Sequence, residues 1–114
     1  MTVETKTNKN KFEFACKLSE LKPNSTKAIE VSDRFVVLIM SQDGKVFCIE
    51  DVCTHDGGTL SDGELHGDCL VCPRHGAKFD VKTGDAMCMP ATEGTLSHEV
   101  RIDNDEVFVQ LKNN

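Results

Sequence analysis

Residues 35–40 read Phe35-Val36-Val37-Leu38-Ile39-Met40, an unbroken run of β-branched and large apolar side chains. The run is too short for a buried helix and has the composition of a strand covered on both faces. Gln42-Asp43-Gly44 follows as a tight turn, and residues 45–50 (KVFCIE) return as the second arm of a hairpin. Upstream, residues 11–17 (KFEFACK) alternate Phe12, Phe14 and Cys16 with polar residues, the pattern of a half-buried strand. Residues 18–24, with Pro23, form a connection, and 26–31 a second strand whose alternation is imperfect. Shorter strands are expected at 64–66, 70–71 and 77–81, punctuated by Asp62-Gly63, Gly67-Asp68 and Thr83-Gly84. Residues 96–102 and 106–111 flank Asp103-Asn104-Asp105 as a last hairpin, with Val107 and Val109 alternating against Glu106, Phe108 and Gln110. About nine short strands and no long helix place the chain in the all-β class, as an antiparallel β-sandwich or small barrel.

A length of 114 residues favours one core. The expected organisation is a flexible tail over 1–10 and a single domain over 11–112. Hydrophobic residues make up 39% and charged residues 28%, the balance of a globular protein. No run of 18 apolar residues exists to span a membrane, and the polar N-terminus lacks the apolar core of a secretory signal, so a cytoplasmic location is expected. A net charge of −6 with no basic patch argues against a nucleic-acid partner. It serves solubility, or steering toward a basic surface on another protein.

Six cysteines are many for this length. Without a secretory signal, metal binding is the better use for some of them. Histidines at close spacing show which. Cys53-Thr54-His55-Asp56-Gly57-Gly58 is followed, with sixteen residues between His55 and Cys72, by Cys72-Pro73-Arg74-His75-Gly76. Each segment falls on a loop between strands and offers one thiolate and one imidazole, which suits a metal centre with unlike halves. Gly57, Gly58 and Gly76 allow a close approach of backbone N–H groups to inorganic sulfide, and Pro73 stiffens the second loop. The same four side chains would also satisfy tetrahedral zinc, and Cys69-Leu70-Val71-Cys72 adds a C-x-x-C spacing to that alternative.

On these residues the chain resembles the Rieske iron–sulfur proteins, over roughly Phe12 to Leu111. The resemblance implies a Rieske-like β-fold with a loop-built cluster-binding subdomain at about 51–91, and one 2Fe-2S cluster. It implies Cys53 and Cys72 on one iron and His55 and His75 on the other, with Cys88-Met89-Pro90 as a covering loop. High-potential members join the two loops by a disulfide, but Gly58 and Arg74 stand at the matching positions. Those members also present serine and tyrosine hydroxyls to sulfur, where this chain has Ala77 and Phe79. Hydrogen bonds to sulfur stabilise the reduced cluster, so their absence implies a low-potential centre of the kind that serves bacterial oxygenases.

The resemblance therefore implies a one-electron carrier rather than an enzyme. Its partners would be a flavin-containing NAD(P)H reductase and a terminal oxygenase or similar acceptor. Only His66 and His98 remain to form any second iron site. The competing readings are a fixed subunit of a nitrite-reductase-like complex and a non-redox structural metal module. Of the other residues, Cys16 and Cys48 are expected in the core, Cys69 and Cys88 packed or shielded near the cluster loops, and His66 and His98 on the surface. Met87 and Met89 are candidates for an apolar rim; Arg74, Asp56, Asp62 and Glu64 are candidates for docking charges.

Overall fold

The computed structural model describes residues 12–53, 57–73, 76–88 and 93–112. Two antiparallel sheets organise the chain. The larger contains β1 (Glu13–Lys17), β2 (Ser25–Val31), β3 (Arg34–Met40), β4 (Val46–Glu50), β9 (Ser97–Asp103) and β10 (Glu106–Gln110), in the order β1-β10-β9-β4-β3-β2. Its two edge strands approach each other, so the sheet curls into a nearly closed barrel. The smaller sheet contains β5 (Glu64–His66), β6 (Cys69–Val71), β7 (Lys78–Asp80) and β8 (Ala86–Cys88), in sequence order. The whole small sheet lies between β4 and β9, which pair directly through Cys48 opposite His98 and Ile49 opposite Ser97.

β3 shows why its sequence is apolar throughout. Val36, Leu38 and Met40 point into the barrel with Cys16, Val31, Cys48, Val107 and Val109. Val37 and Ile39 point outward into a second cluster with Ile49, Leu60, Leu70, Phe79 and Val81, which joins the barrel wall to the small sheet. Strict alternation sends neighbouring side chains to opposite faces, so a strand shared by two cores needs both faces apolar. Phe35 is the exception, 62% exposed at the start of the strand. Cys16 and Cys48 lie in the barrel core as expected, and burial pushes the Cys48 thiol up to about 12.

Four features of the fold differ from the sequence reading. Residues 86–88 form an edge strand that the sequence did not signal, and residues 18–20 form a single 3-10 turn within the expected connection. In β1 a bulge between Phe14 and Cys16 breaks the alternation. Cys16 is thereby buried while Phe14 turns outward, 52% exposed, edge-on to Phe108 at 6.0 Å between ring centroids.

The fourth difference is His98, whose side chain is fully buried rather than on the surface. Its Nδ1 accepts the Lys112 N–H at 3.0 Å, so the ring proton sits on Nε2 and is donated to Glu50 Oε1 at 2.7 Å. Arg34 completes the knot, bonding Glu50 at 3.0 Å and the Lys112 carbonyl at 2.7 Å. The contact with Glu50 is therefore one between a neutral imidazole and a carboxylate. Burial lowers the His98 pKa from 6.5, and Glu50 opposes that shift.

The sign of the pH effect follows. Above about 6.5 both folded and unfolded chains hold His98 neutral and it contributes no pH dependence. As pH falls below that value, the unfolded chain takes a proton that the fold resists. Stability should then drop by up to about 1.4 kcal/mol per pH unit until the lowered folded value is reached. His98→Asn keeps an acceptor for Lys112 without a titrating group. The stability advantage of the unaltered protein over this variant should therefore shrink between about pH 7 and about pH 5 in urea titrations. An equal advantage at both pH values would show that His98 does not titrate in this way.

The turn from β7 to β8 pins the small sheet to the strand entering β9. The Gly84 N–H donates to the Asp80 carbonyl and the Thr95 N–H to the Gly84 carbonyl, both at 2.7 Å. Gly84 has φ +81°, and a Cβ there would stand 2.0 Å from the Thr95 oxygen. Gly84→Ala should destabilise the protein by about 1–3 kcal/mol, read as a lower thermal midpoint. An unchanged midpoint would mean that the turn relaxes freely.

Candidate metal centre

Both cysteines of the two motifs leave strands of different sheets and enter the shared apolar cluster. Cys53 follows β4 and is fully buried; Cys72 follows β6 at 1% exposure. Each opens a turn with the same hydrogen-bond frame. In the first, the Cys53 N–H donates to the Gly58 carbonyl at 2.8 Å and the Gly57 N–H to the Cys53 carbonyl at 2.7 Å. In the second, the Cys72 N–H donates to the Ala77 carbonyl at 2.7 Å and the Gly76 N–H to the Cys72 carbonyl at 3.0 Å. The two glycines, each four residues after its cysteine, have φ of +76° and +79°. Their role is the left-handed backbone that closes each turn, since their N–H groups are taken up by cysteine carbonyls.

His55 and His75 fall inside these turns by sequence and lie outside the described residues, as do Asp56, Arg74 and Met89. Among the described residues no three metal-ligating side chains converge. The alternative pairing of Cys69 with Cys72 gains no support. Leu70 and Cys72 belong to the inner cluster, whereas Cys69 faces outward, opposite His66 on one side and Asp80 on the other. Partial burial raises the Cys69 thiol pKa, with the Asp80 carboxylate as the next cause. Cys88, expected to be shielded, is exposed, although its Sγ lies 3.7 Å from the Gly76 carbonyl and so against the second turn. Met87 is 53% exposed.

The surroundings are apolar within and acidic at the rim. Ala77 and Phe79 are fully buried beside Cys53 and Cys72. Outside, a groove of about 360 Å³ runs along the second turn, lined by Asp62, Glu64, His66, Val71 and Pro73. His66 is exposed as expected, and its Nε2 lies 3.2 Å from Glu64 Oε1.

One residue that sequence reading passed over is Asp51. Its carboxylate is buried and accepts the N–H groups of Leu60 and Ser61. Only its position, two residues before Cys53 in a chain that doubles back through two glycines, hinted at it.

Two buried thiols in matched turns, each turn carrying a histidine in its sequence, form a donor set that fits an iron–sulfur centre with two unlike irons. A family model described as the Rieske [2Fe-2S] domain matches residues 11–106, and the chain belongs to this family. Its cofactor is one Rieske-type 2Fe-2S cluster. Within the family it is similar to ferredoxin subunits of dioxygenases. It is 31% identical over 99 residues to the 3-phenylpropionate/cinnamic acid dioxygenase ferredoxin subunit of Shigella boydii serotype 4 (strain Sb227), covering 86% of this chain and 92% of that protein. The ferredoxin of carbazole 1,9a-dioxygenase from Nocardioides aromaticivorans IC177 matches with a TM-score of 0.83 and 28% identity, covering 89% of this chain and 98% of that one. A chain from the complex of reduced oxygenase and oxidized ferredoxin in carbazole 1,9a-dioxygenase matches with a TM-score of 0.81 and 30% identity, covering 90% and 96%.

Proposed function

We propose that this protein is a one-electron carrier in which Cys53 and Cys72 hold one iron of the cluster and His55 and His75 the other. It takes electrons from a flavin-containing NAD(P)H reductase and delivers them to a terminal oxygenase. The observation that carries the reading is the pair of matched turns, each opened by a buried cysteine of the shared core. Similarity to dioxygenase ferredoxin subunits over nearly their whole length supports the assignment of partners. The cytoplasm fits as the compartment, and no helix among the described residues is long and apolar enough to cross a membrane. Residues 11–112 form the functional unit, with the cluster held by 51–91.

When bound, the cluster supplies one reversible electron. The chain's own residues set the conditions for its transfer. Cys53, Cys72, Leu60 and Phe79 keep water from the inner side. Ala77 and Phe79 offer no hydroxyl to sulfur, which places the potential near the lower end of the range of about −150 to +300 mV. Asp62 and Glu64 give the rim a negative charge that steers a basic partner and lets it leave quickly as salt screens it.

Visible and low-temperature EPR spectra before and after dithionite test the centre. A brown protein with the rhombic signal of a mixed-ligand cluster on reduction is expected. Stoichiometric zinc in a colourless protein would sink the reading. Electron flow is tested by adding NADH and the flavoprotein reductase of a dioxygenase system, with bleaching of the visible band as the expected result. No bleaching with any such reductase would remove that partner.

A further inference from the structure

Asp51 and His98 are the only buried polar side chains among the described residues, and they are satisfied differently. His98 meets a neighbouring carboxylate, whereas no basic side chain among the described residues is paired with Asp51. Instead a single oxygen, Oδ1, accepts the Leu60 and Ser61 N–H groups, each at 2.7 Å. The Asp51 N–H donates to the Phe35 carbonyl at 3.1 Å, which fixes this end to β3. The other end is fixed too: Leu60 is fully buried in the cluster that holds Cys53, and Thr26 Oγ1 donates to the Ser61 carbonyl at 3.1 Å. The carboxylate thus closes a bracket over residues 51–61, and the turn from Cys53 to Gly58 is nested inside it. Removing a carboxylate from water is unfavourable unless strong bonds hold it, and charge-assisted N–H bonds of this length are among the strong ones.

We propose that Asp51 is a positioning residue of the centre, which clamps the Cys53 turn through Leu60 and Ser61 and whose buried negative charge lowers the reduction potential. Reduction makes the cluster more negative, and a fixed anion in a poorly screened interior opposes that change. The inference rests on Cys53 being a ligand. It separates clamp from charge, because both bonds end on one oxygen. Asp51→Asn keeps a carbonyl oxygen for both N–H groups and removes the charge, whereas Asp51→Ala removes both.

The experiment uses the holoprotein and the two variants, with midpoint potentials from a redox titration and hydrogen exchange at the Leu60 and Ser61 amides. Asp51→Asn should keep both amides protected and favour reduction by about tenfold, which is about 59 mV for a one-electron couple. Asp51→Ala should raise exchange at both amides by about tenfold or more. An unchanged potential in Asp51→Asn, with the rhombic EPR signal intact, would overturn the electrostatic half. Fast exchange of both amides in the unaltered protein would overturn the clamp, and that measurement needs no variant to fold. If instead Cys53→Ala retains the EPR signal, the ligand assignment is what fails, while the amide exchange still reports on the clamp.

Discussion

Cys72→Ala should yield a folded, colourless protein without acid-labile sulfide. The substitution removes one buried sulfur from a packed cluster, and core truncations that small cost about 1 kcal/mol, too little to unfold a domain of ordinary stability. A cysteine that only packs would therefore leave the colour in place. A cysteine that supplies one of four bonds to the cluster would not, since thiolate coordination is what retains the iron. Cys53→Ala should behave alike, from the other turn. Cys48→Ala is the control, because that thiol is equally buried but lies inside the barrel. Iron and sulfide analysis with the visible spectrum decides the matter. Full cluster content in either turn variant would end the assignment, and loss in the Cys48 variant would mean that any core cysteine substitution expels the cluster.

Phe79→Ala is expected to cost about 3–5 kcal/mol, the range for deleting a buried aromatic side chain. Phe79 is the largest side chain among those almost entirely buried, and it reaches from the centre of the small sheet into the cluster shared with Val37, Ile39 and Ile49. Because Cys53 and Cys72 line the same cluster, loss of packing should also loosen the centre. Urea unfolding followed by circular dichroism and by the visible band should show both transitions moved to lower urea together. Phe79→Leu, which refills part of the volume, should recover most of the loss. A cost below about 1 kcal/mol for the alanine variant would mean that the small sheet collapses onto the barrel without it.

What was legible in the sequence was what is local. The run at 35–40 declared a strand with two buried faces, and the matching structure divides its side chains between two cores. Asp103-Asn104-Asp105 marked a hairpin, and Asn104 has the left-handed φ of +57° that such a turn uses. Cys53 and Cys72, the described cysteines of the two motifs, lie on connections just past β4 and β6, as expected. What was missed depends on distant partners. Residues 86–88 have little intrinsic strand character and owe their conformation to pairing with β7. His98 looked like a surface residue until β3, β4 and residue 112 surrounded it with Arg34, Glu50 and Lys112. Asp51 acquires its role only when the chain returns at Leu60. The bulge in β1 likewise leaves little mark in a sequence whose alternation is interrupted only by Ala15.

The placement of the small sheet between β4 and β9 has a further consequence. The Glu50 N–H donates to the Leu96 carbonyl at 2.8 Å, so the chain leaves the barrel and re-enters it at one point. Geometry alone would permit excision, with a short turn joining the two strands. Chemistry does not, because Val37, Ile39 and Ile49 on the barrel wall are covered by the inserted residues. A barrel stripped of the insertion, or one whose insertion melts after the cluster is lost, would present a flat oily surface on paired strands. Such surfaces drive self-association. Keeping the small sheet folded over the barrel wall and keeping that wall from meeting other copies of the chain are thus a single demand on this sequence.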